Sequence, residues 1–368
     1  MPRVEAPQSD QAASVRFAGP RAVLRQAVAE DAFPGAAWGV LHHGEILAMA
    51  GEGRFTYEAN SPAVQPDTVF DLASVSKVVA TTAAAMLLLD RGSLHLDMRL
   101  GDILPGFVVG SDPSSGKVQV TLRMLLAHSA GLPGYVELFR TCSTPEALIR
   151  AALQLPLENP PGQRTVYSDV GYILLGKVME VLSGEPLDSF CVREIFRPLG
   201  LAATTFNPPP EQRPRIAPTE EDTRFRNRVI QGEVQDENAW VLGGAAGHAG
   251  VFSSVHDLLC FAQCILSEGR AADGHQLFQP QTVRAFAAPQ STGRALGWDV
   301  PTPPSSSGRY FGPRSIGHLG YAGTSLWIDP DQELAVALLT NRTWPDRSRD
   351  TIRQVRPAFH DAVAEALR

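Results

Sequence analysis

The chain has 368 residues, 44% hydrophobic and 19% charged, with a formal net charge of -7 and a pI near 5.7. This is the composition of a folded protein with a sizeable core, and it excludes a disordered chain. The acidic balance argues against a partner that is nucleic acid or an anionic membrane, because both demand a basic field. Of 32 basic residues only three are lysines, Lys77, Lys117 and Lys177.

In chain order, the first 14 residues lack the basic start and apolar stretch of a secretory signal. The chain as written is therefore expected in the cytoplasm; a precursor trimmed at this end would begin the same way and be periplasmic or extracellular. Residues 15–31 carry helical apolar spacing, ended by Pro34-Gly35. Residues 36–41 and 45–50 are strand-like around His42-His43-Gly44, which predicts a hairpin. Residues 72–90, rich in Ala, Leu and Met, predict one long buried helix; their longest apolar run, 78–89, is shorter than the ~20 residues of a membrane span. Helices follow at 121–127, 145–153, 170–182 and 186–196, and residues 207–232, rich in Pro, Arg and Glu, are expected to be an irregular excursion with self-compensated charges. Helices at 255–266 and 280–286 precede strands at 296–300, 315–318, 324–328 and 334–339, and a helix over 351–367 closes the chain. Strands at both ends with helices between predict an α+β protein: a sheet domain from 12–72 and 250–368, and a mostly helical domain over 73–249.

The chemistry centres on Ser74-Val75-Ser76-Lys77 at the start of the long helix. Residues i and i+3 share a helix face, so the spacing sets a hydroxyl beside an amine. A serine needs a neighbouring base, and a buried ammonium can release its proton to become one; an arginine cannot. Ser114-Ser115-Gly116-Lys117 has the same spacing but lies in a Pro/Gly loop. Cys142, Cys191, Cys260 and Cys264 suit neither a disulfide scaffold nor a metal knuckle and read as core thiols. There is no HExxH, paired Cys/His, GxGxxG or Walker pattern, so no metal and no nucleotide cofactor is expected.

Two further segments complete a pattern: Tyr167-Ser168-Asp169 ahead of a helix, and His318-Leu319-Gly320 on a strand leading into Tyr321. In order and spacing the chain resembles the penicillin-recognising serine hydrolases: class C β-lactamases, low-molecular-mass penicillin-binding proteins and β-lactamase-like esterases. The resemblance runs from about Phe33 to Asn341 and is supported by the stretches 121–132 and 243–253. It implies the β-lactamase/transpeptidase-like fold, an antiparallel sheet flanked by helices with a mostly helical insertion. It implies Ser74 as acylated nucleophile, Lys77 as its proton partner and Tyr167 as the shuttle to the leaving group. The backbone N–H groups of Ser74 and Tyr321 would form the oxyanion hole, and Gly320 would keep the strand edge bare for substrate.

The chain departs from the family pattern at two positions. Asp169 stands where the family has Asn, and a carboxylate there favours the protonated Lys77, which would shift the base role to Tyr167. His318 stands where the family has Lys and Leu319 where it has Thr, removing a cation and a hydroxyl that serve penicillin carboxylates. An esterase, or a peptidase or amidase on muropeptide-like fragments, is therefore expected ahead of an efficient β-lactamase. The rival is a catalytically weak penicillin-binding or sensor protein of the same fold. His128 and His248 are candidates for the cleft or for structural roles; Asp236 and Asn238, in a phrase found in a peptidoglycan-associated branch, are candidates for shaping the pocket or ordering its loop. No feature of the sequence points to a particular oligomeric state.

Overall fold

A computed structural model of the chain describes residues 3–4 and 15–368. The segment that bears on a secretory signal, and the first residues of the 12–72 stretch, thus lie outside the described residues apart from Arg3 and Val4. The strands are β1 (Arg3–Val4), β2 (Gly35–His42), β3 (Glu45–Gly53), β4 (Phe70–Asp71), β5 (Thr205–Phe206), β6 (Glu220–Asp222), β7 (Arg228–Ile230), β8 (Val251–Ser253), β9 (Ile316–Leu319), β10 (Ser325–Asp329) and β11 (Leu334–Thr340).

The main sheet runs β1-β3-β2-β11-β10-β9, antiparallel except where β1 meets β3. The β2–β3 hairpin turns at His43 and Gly44, both at positive φ. Alternation along β2 and β11 divides the side chains between two faces. Trp38, Val40, Val336 and Leu338 pack with Leu24 of helix α1 (Ala18–Ala29) and with Phe359 and Val363 near the C-terminus. Ala37, Leu41, Ala335 and Ala337 face the other way, into an apolar cluster shared with the helical region.

That region is built on residues 73–90. They form a 3-10 turn, Ala73–Val75, a wide π turn, Lys77–Thr82, and only then regular helix α2 (Ala83–Asp90), rather than one uniform helix. By length and composition this segment could cross a bilayer, but it is largely buried among the other elements. Around it stand α3 (Asp169–Ser183), the short α4 (Glu237–Val241) and α5 (Val255–Leu266), with α6 (Ile352–Leu367) closing the opposite face of the sheet.

Two further expectations fail. Residues 296–300 make isolated bridges instead of a strand: Gly297 sits at φ +85°, and a Cβ there would lie 2.3 Å from Thr82 Oγ1, so the chain bends to lean on the 77–82 turn. The 207–232 excursion contains a 3-10 turn, Pro210–Arg215, and the β6–β7 hairpin. The Asp222 carboxylate organises that hairpin by accepting from the backbone N–H groups of Arg224, Phe225 and Arg226 and pairing with the Arg226 guanidinium at 2.7 Å. A small sheet, β4-β8-β5, has strands too short to show a period.

Candidate active site

The turn that carries Ser74 hangs from β4, which pairs with β8. Asp71 ends β4 and is fully buried; its carboxylate accepts from the backbone N–H of Ala73 at 2.8 Å and of Gln235 at 2.7 Å. Ala73 is thereby held at φ +47°, a conformation uncommon for an L-residue with a side chain. The turn presents Ser74 to a cavity, while Ser76 faces inward and accepts from Val251 N–H at 3.1 Å. Of the two serines, only Ser74 is placed to react.

Lys77 is wholly buried with three oxygens around its amine: Ser74 Oγ at 3.0 Å, the His248 carbonyl at 2.9 Å and Asp169 Oδ1 at 2.6 Å. Burial pulls the Lys77 amine below its ordinary range, and the Asp169 carboxylate opposes that pull without cancelling it. An amine with two hydrogens can give them to the His248 carbonyl and Asp169 and turn its lone pair to the Ser74 hydroxyl. Lys117 has no such setting: it donates to the Leu153 carbonyl at 2.8 Å and lies over the Phe107 ring. Lys177 pairs with Glu180 on the surface of α3.

Tyr167 and Asp169 flank Ser168, the N-cap of α3, whose hydroxyl accepts from Gly171 N–H and donates to the Pro133 carbonyl. His128 supports this turn. Its Nδ1 accepts from Ser168 N–H at 3.0 Å, its carbonyl accepts from Val166 N–H, and its ring lies 4.6 Å from that of Tyr167. Burial, then Arg294 and Lys77, push His128 well below its ordinary value, so it is neutral. The Tyr167 phenol is pushed well above its ordinary range by burial and by Asp169, against a hydrogen bond with Ser74 and the charge of Arg294. The carboxylate at 169 was expected to keep Lys77 protonated and make Tyr167 the base. Burial acts on both groups in the other direction, disfavouring ammonium and phenolate alike.

The third element comes from the end of β9. His318 is buried, its Nδ1–H donates to the Leu319 carbonyl at 2.9 Å, and burial with the charges of Lys77 and Arg294 holds it well below its ordinary value. It is a neutral imidazole whose Nε2 has no partner among the described residues. The structure adds a reason for glycine at 320: a Cβ there would lie 1.9 Å from Thr324 Oγ1 and 2.5 Å from the Leu72 carbonyl. The strand end is locked onto the Ser74 turn, with Thr324 Oγ1 donating to that same carbonyl at 2.8 Å. Tyr321 is half exposed under the Arg342 guanidinium, 4.3 Å from its ring centre.

Ser74, Tyr167, Asp169, His318, Gly320, Tyr321, Asp236 and His248 line one cavity of about 590 Å³. Lys77 and His128 lie behind its wall. His248 Nε2–H donates to Asp236 Oδ1 at 2.8 Å; despite burial, that partner, the Ala239 N–H and Lys77 hold Asp236 down at about 2. Asn238 orders a loop: its Oδ1 accepts from Phe139 N–H and its Nδ2 donates to the Val136 carbonyl, each at 2.9 Å, which sets Tyr135 at the cavity. Sequence reasoning missed Asp71, Tyr135 and Arg294. Asp71 carried a usable signal, an Asp two residues before a turn; the other two are brought in by loops without period. Among the described residues no cluster of three His, Cys, Asp or Glu side chains could hold a metal.

Fold and site together define the class, a serine hydrolase of the β-lactamase fold. Residues 20–358 match the Beta-lactamase family model, and the chain belongs to that family. It is 35% identical over 310 residues to a "Putative D-alanyl-D-alanine carboxypeptidase" of Escherichia coli (strain K12), covering 75% of this chain and 69% of that one. It is also 35% identical over 350 residues to an "N-acetylmuramyl-L-alanine amidase" of Bacillus subtilis (strain 168), covering 84% and 77%. In fold it is similar to EstCE1, a hydrolase with promiscuous acyltransferase activity, with a TM-score of 0.74, 24% identity, and coverage of 97% and 99%.

Proposed function

We propose that this chain hydrolyses amides and esters of peptidoglycan-related fragments through an acyl-enzyme at Ser74. The observation that carries the reading is the 3.0 Å contact between Ser74 Oγ and a wholly buried Lys77 amine, at the edge of a cavity that also holds Tyr167. The names of the carboxypeptidase and amidase relatives support an amide substrate of this class.

In acylation the Ser74 proton passes to the Lys77 amine as Oγ attacks the carbonyl carbon. The backbone N–H groups of Ser74 and Tyr321 meet the developing oxyanion. Tyr167 gives its proton to the leaving group as the bond to carbon breaks, and Lys77 then reprotonates Tyr167. Hydrolysis runs the same path in reverse with water as the incoming group. The neutral His318 offers no charge to a penicillin carboxylate, so β-lactams are poor substrates in this account.

One observation favours a second reading. Asp169 at 2.6 Å stabilises the protonated Lys77, and a site held in that state would acylate slowly and release slowly, as a binder does. Turnover of a p-nitrophenyl ester with intact mass measurement separates the two. Steady release with Ser74 acylated in the trapped intermediate supports the hydrolase; a single burst with a persistent adduct supports the binder. No burst and no adduct with esters or β-lactams sinks both.

A further inference from the structure

The path just described places negative charge on Tyr167 each time its phenol protonates a leaving group, and the position that carries lysine in the family is here a neutral imidazole. A cation does reach the ring from another part of the chain. The Arg294 guanidinium lies 5.1 Å from the Tyr167 ring centre, as close as the Lys77 amine at 5.0 Å. It is held there rather than left to wander. Its side chain pairs with Asp299, and Asp299 exchanges both backbone hydrogen bonds with Gly317, the residue before His318. On the other side, Ser291 Oγ and Thr165 Oγ1 are 2.8 Å apart, tying the same loop to the Tyr167 segment. Arg294 and Asp299 line the catalytic cavity and also a second, hydroxyl-rich groove that shares Tyr167 with it.

We propose that Arg294 is the positioning cation of this site, stabilising the phenolate that Tyr167 becomes when it protonates the leaving group, and so doing what His318 cannot. This rests on the acyl-enzyme reading at Ser74. In the step concerned, the Tyr167 O–H bond breaks, its proton joins the leaving-group oxygen or nitrogen as that atom parts from the acyl carbon, and the ammonium of Lys77 returns a proton to Tyr167. The groups facing Tyr167 are Lys77, Asp169, Ser74, His128, Tyr172, His318 and Arg294. His128 and His318 are neutral and Asp169 opposes a phenolate. Lys77 alternates its charge with the reaction, which leaves Arg294 as the one cation present throughout. Its charge already works against the effect of burial on the phenol.

The test varies the leaving group. A p-nitrophenolate departs without a proton, whereas an alkoxide or amine needs one. Replacing Arg294 by Met keeps most of the packing on the ring and removes the charge. Arg294→Met should lower kcat/KM by about 30-fold on an alkyl ester or a simple amide, part of what a general acid contributes, yet by about threefold or less on the p-nitrophenyl ester. Arg294→Lys should recover most of the loss, and circular dichroism with a thermal melt reports, independently of either substrate, that each variant is folded. Where Arg294→Met does not fold, Arg294→Gln serves the same comparison. Equal losses on the two substrates, no loss on the alkyl ester, or a Lys variant no better than Met overturns the proposal. Undiminished turnover of both esters by Ser74→Ala would instead overturn the reading on which it rests.

Discussion

Lys77 sits between burial, which drives its proton off, and Asp169, which holds it on. Replacing Asp169 by Asn removes the opposing influence, so the amine falls further. The rising limb of kcat/KM against pH should then move to lower pH by about 1–3 units, the usual effect of an adjacent opposite charge. A limb that stays in place or moves upward contradicts the account. Asp71 shows the reverse arrangement. Burial raises it to about 6 despite its two backbone donors. Its native value lies above the ordinary value of 3.8, so its penalty on stability is present above pH 6 and is relieved as pH falls towards 4. Activity goes the other way, because protonation puts a hydrogen on one of the two oxygens that accept from Ala73 and Gln235 and weakens that bond to the Ser74 turn. Between pH 7 and 5 kcat/KM should fall with an inflection near 6 while this group adds nothing to acid unfolding, and the inflection should be missing from Asp71→Asn. Thermal melts beside rate profiles check both halves.

At the scale of elements, the site is a junction of three pieces: the Ser74 turn, the cap of α3 and the end of β9. Gly320 is the tightest point of contact. Gly320→Ala would force the β9 end away from Leu72 and Thr324 and should cost about 1–3 kcal/mol of stability, the usual range for overpacking, with a larger proportional loss of kcat. A variant with wild-type rates would show that the junction is not needed. The β6–β7 hairpin is tied in by Arg347, which bonds both oxygens of Glu220 at 2.6 Å and Glu237 at 2.9 Å. Both glutamates are buried, and Arg347→Ala leaves Glu237 without its cation and Glu220 with only the Gln235 amide at 3.1 Å and Arg226 at 3.9 Å, so it should destabilise the fold by about 3–5 kcal/mol, measurable by urea titration. These junctions also explain what was legible beforehand. Ser74 and Lys77 are neighbours by helix spacing alone, and Tyr167 and His318 sit in short phrases whose order carries the resemblance. The hairpin at 43–44, helix α5 and strands β10 and β11 follow from local period. Arg294 and Tyr135 are brought in by the path of the chain through Gly297 and by the bonds of Asn238 to the 136–139 loop, for which no local period exists, whereas the turn signal at Asp71 was there to be read. The supposed strand at 296–300 failed at Gly297, where a close approach to Thr82 outweighs strand-like composition.

On the scale of the whole molecule, the apolar cluster that fills the helical region also contains Ala37, Leu41, Leu326 and Ala335 of the main sheet. The cavity proposed as the active site lies along that shared boundary, taking Ser74 and Tyr167 from the helical side and His318 and Tyr321 from the sheet. Its chemistry therefore requires both parts at once, and loss of activity in denaturant should coincide with loss of tertiary signal in one transition. The central claim is that Ser74 is acylated during turnover because Lys77 accepts its proton. Intact mass and peptide mapping of enzyme quenched during steady hydrolysis of a p-nitrophenyl ester test it most directly. The account predicts one acyl group, on Ser74, absent from Ser74→Ala and strongly reduced in Lys77→Met; full turnover by Ser74→Ala, or an acyl group on another residue, would contradict it.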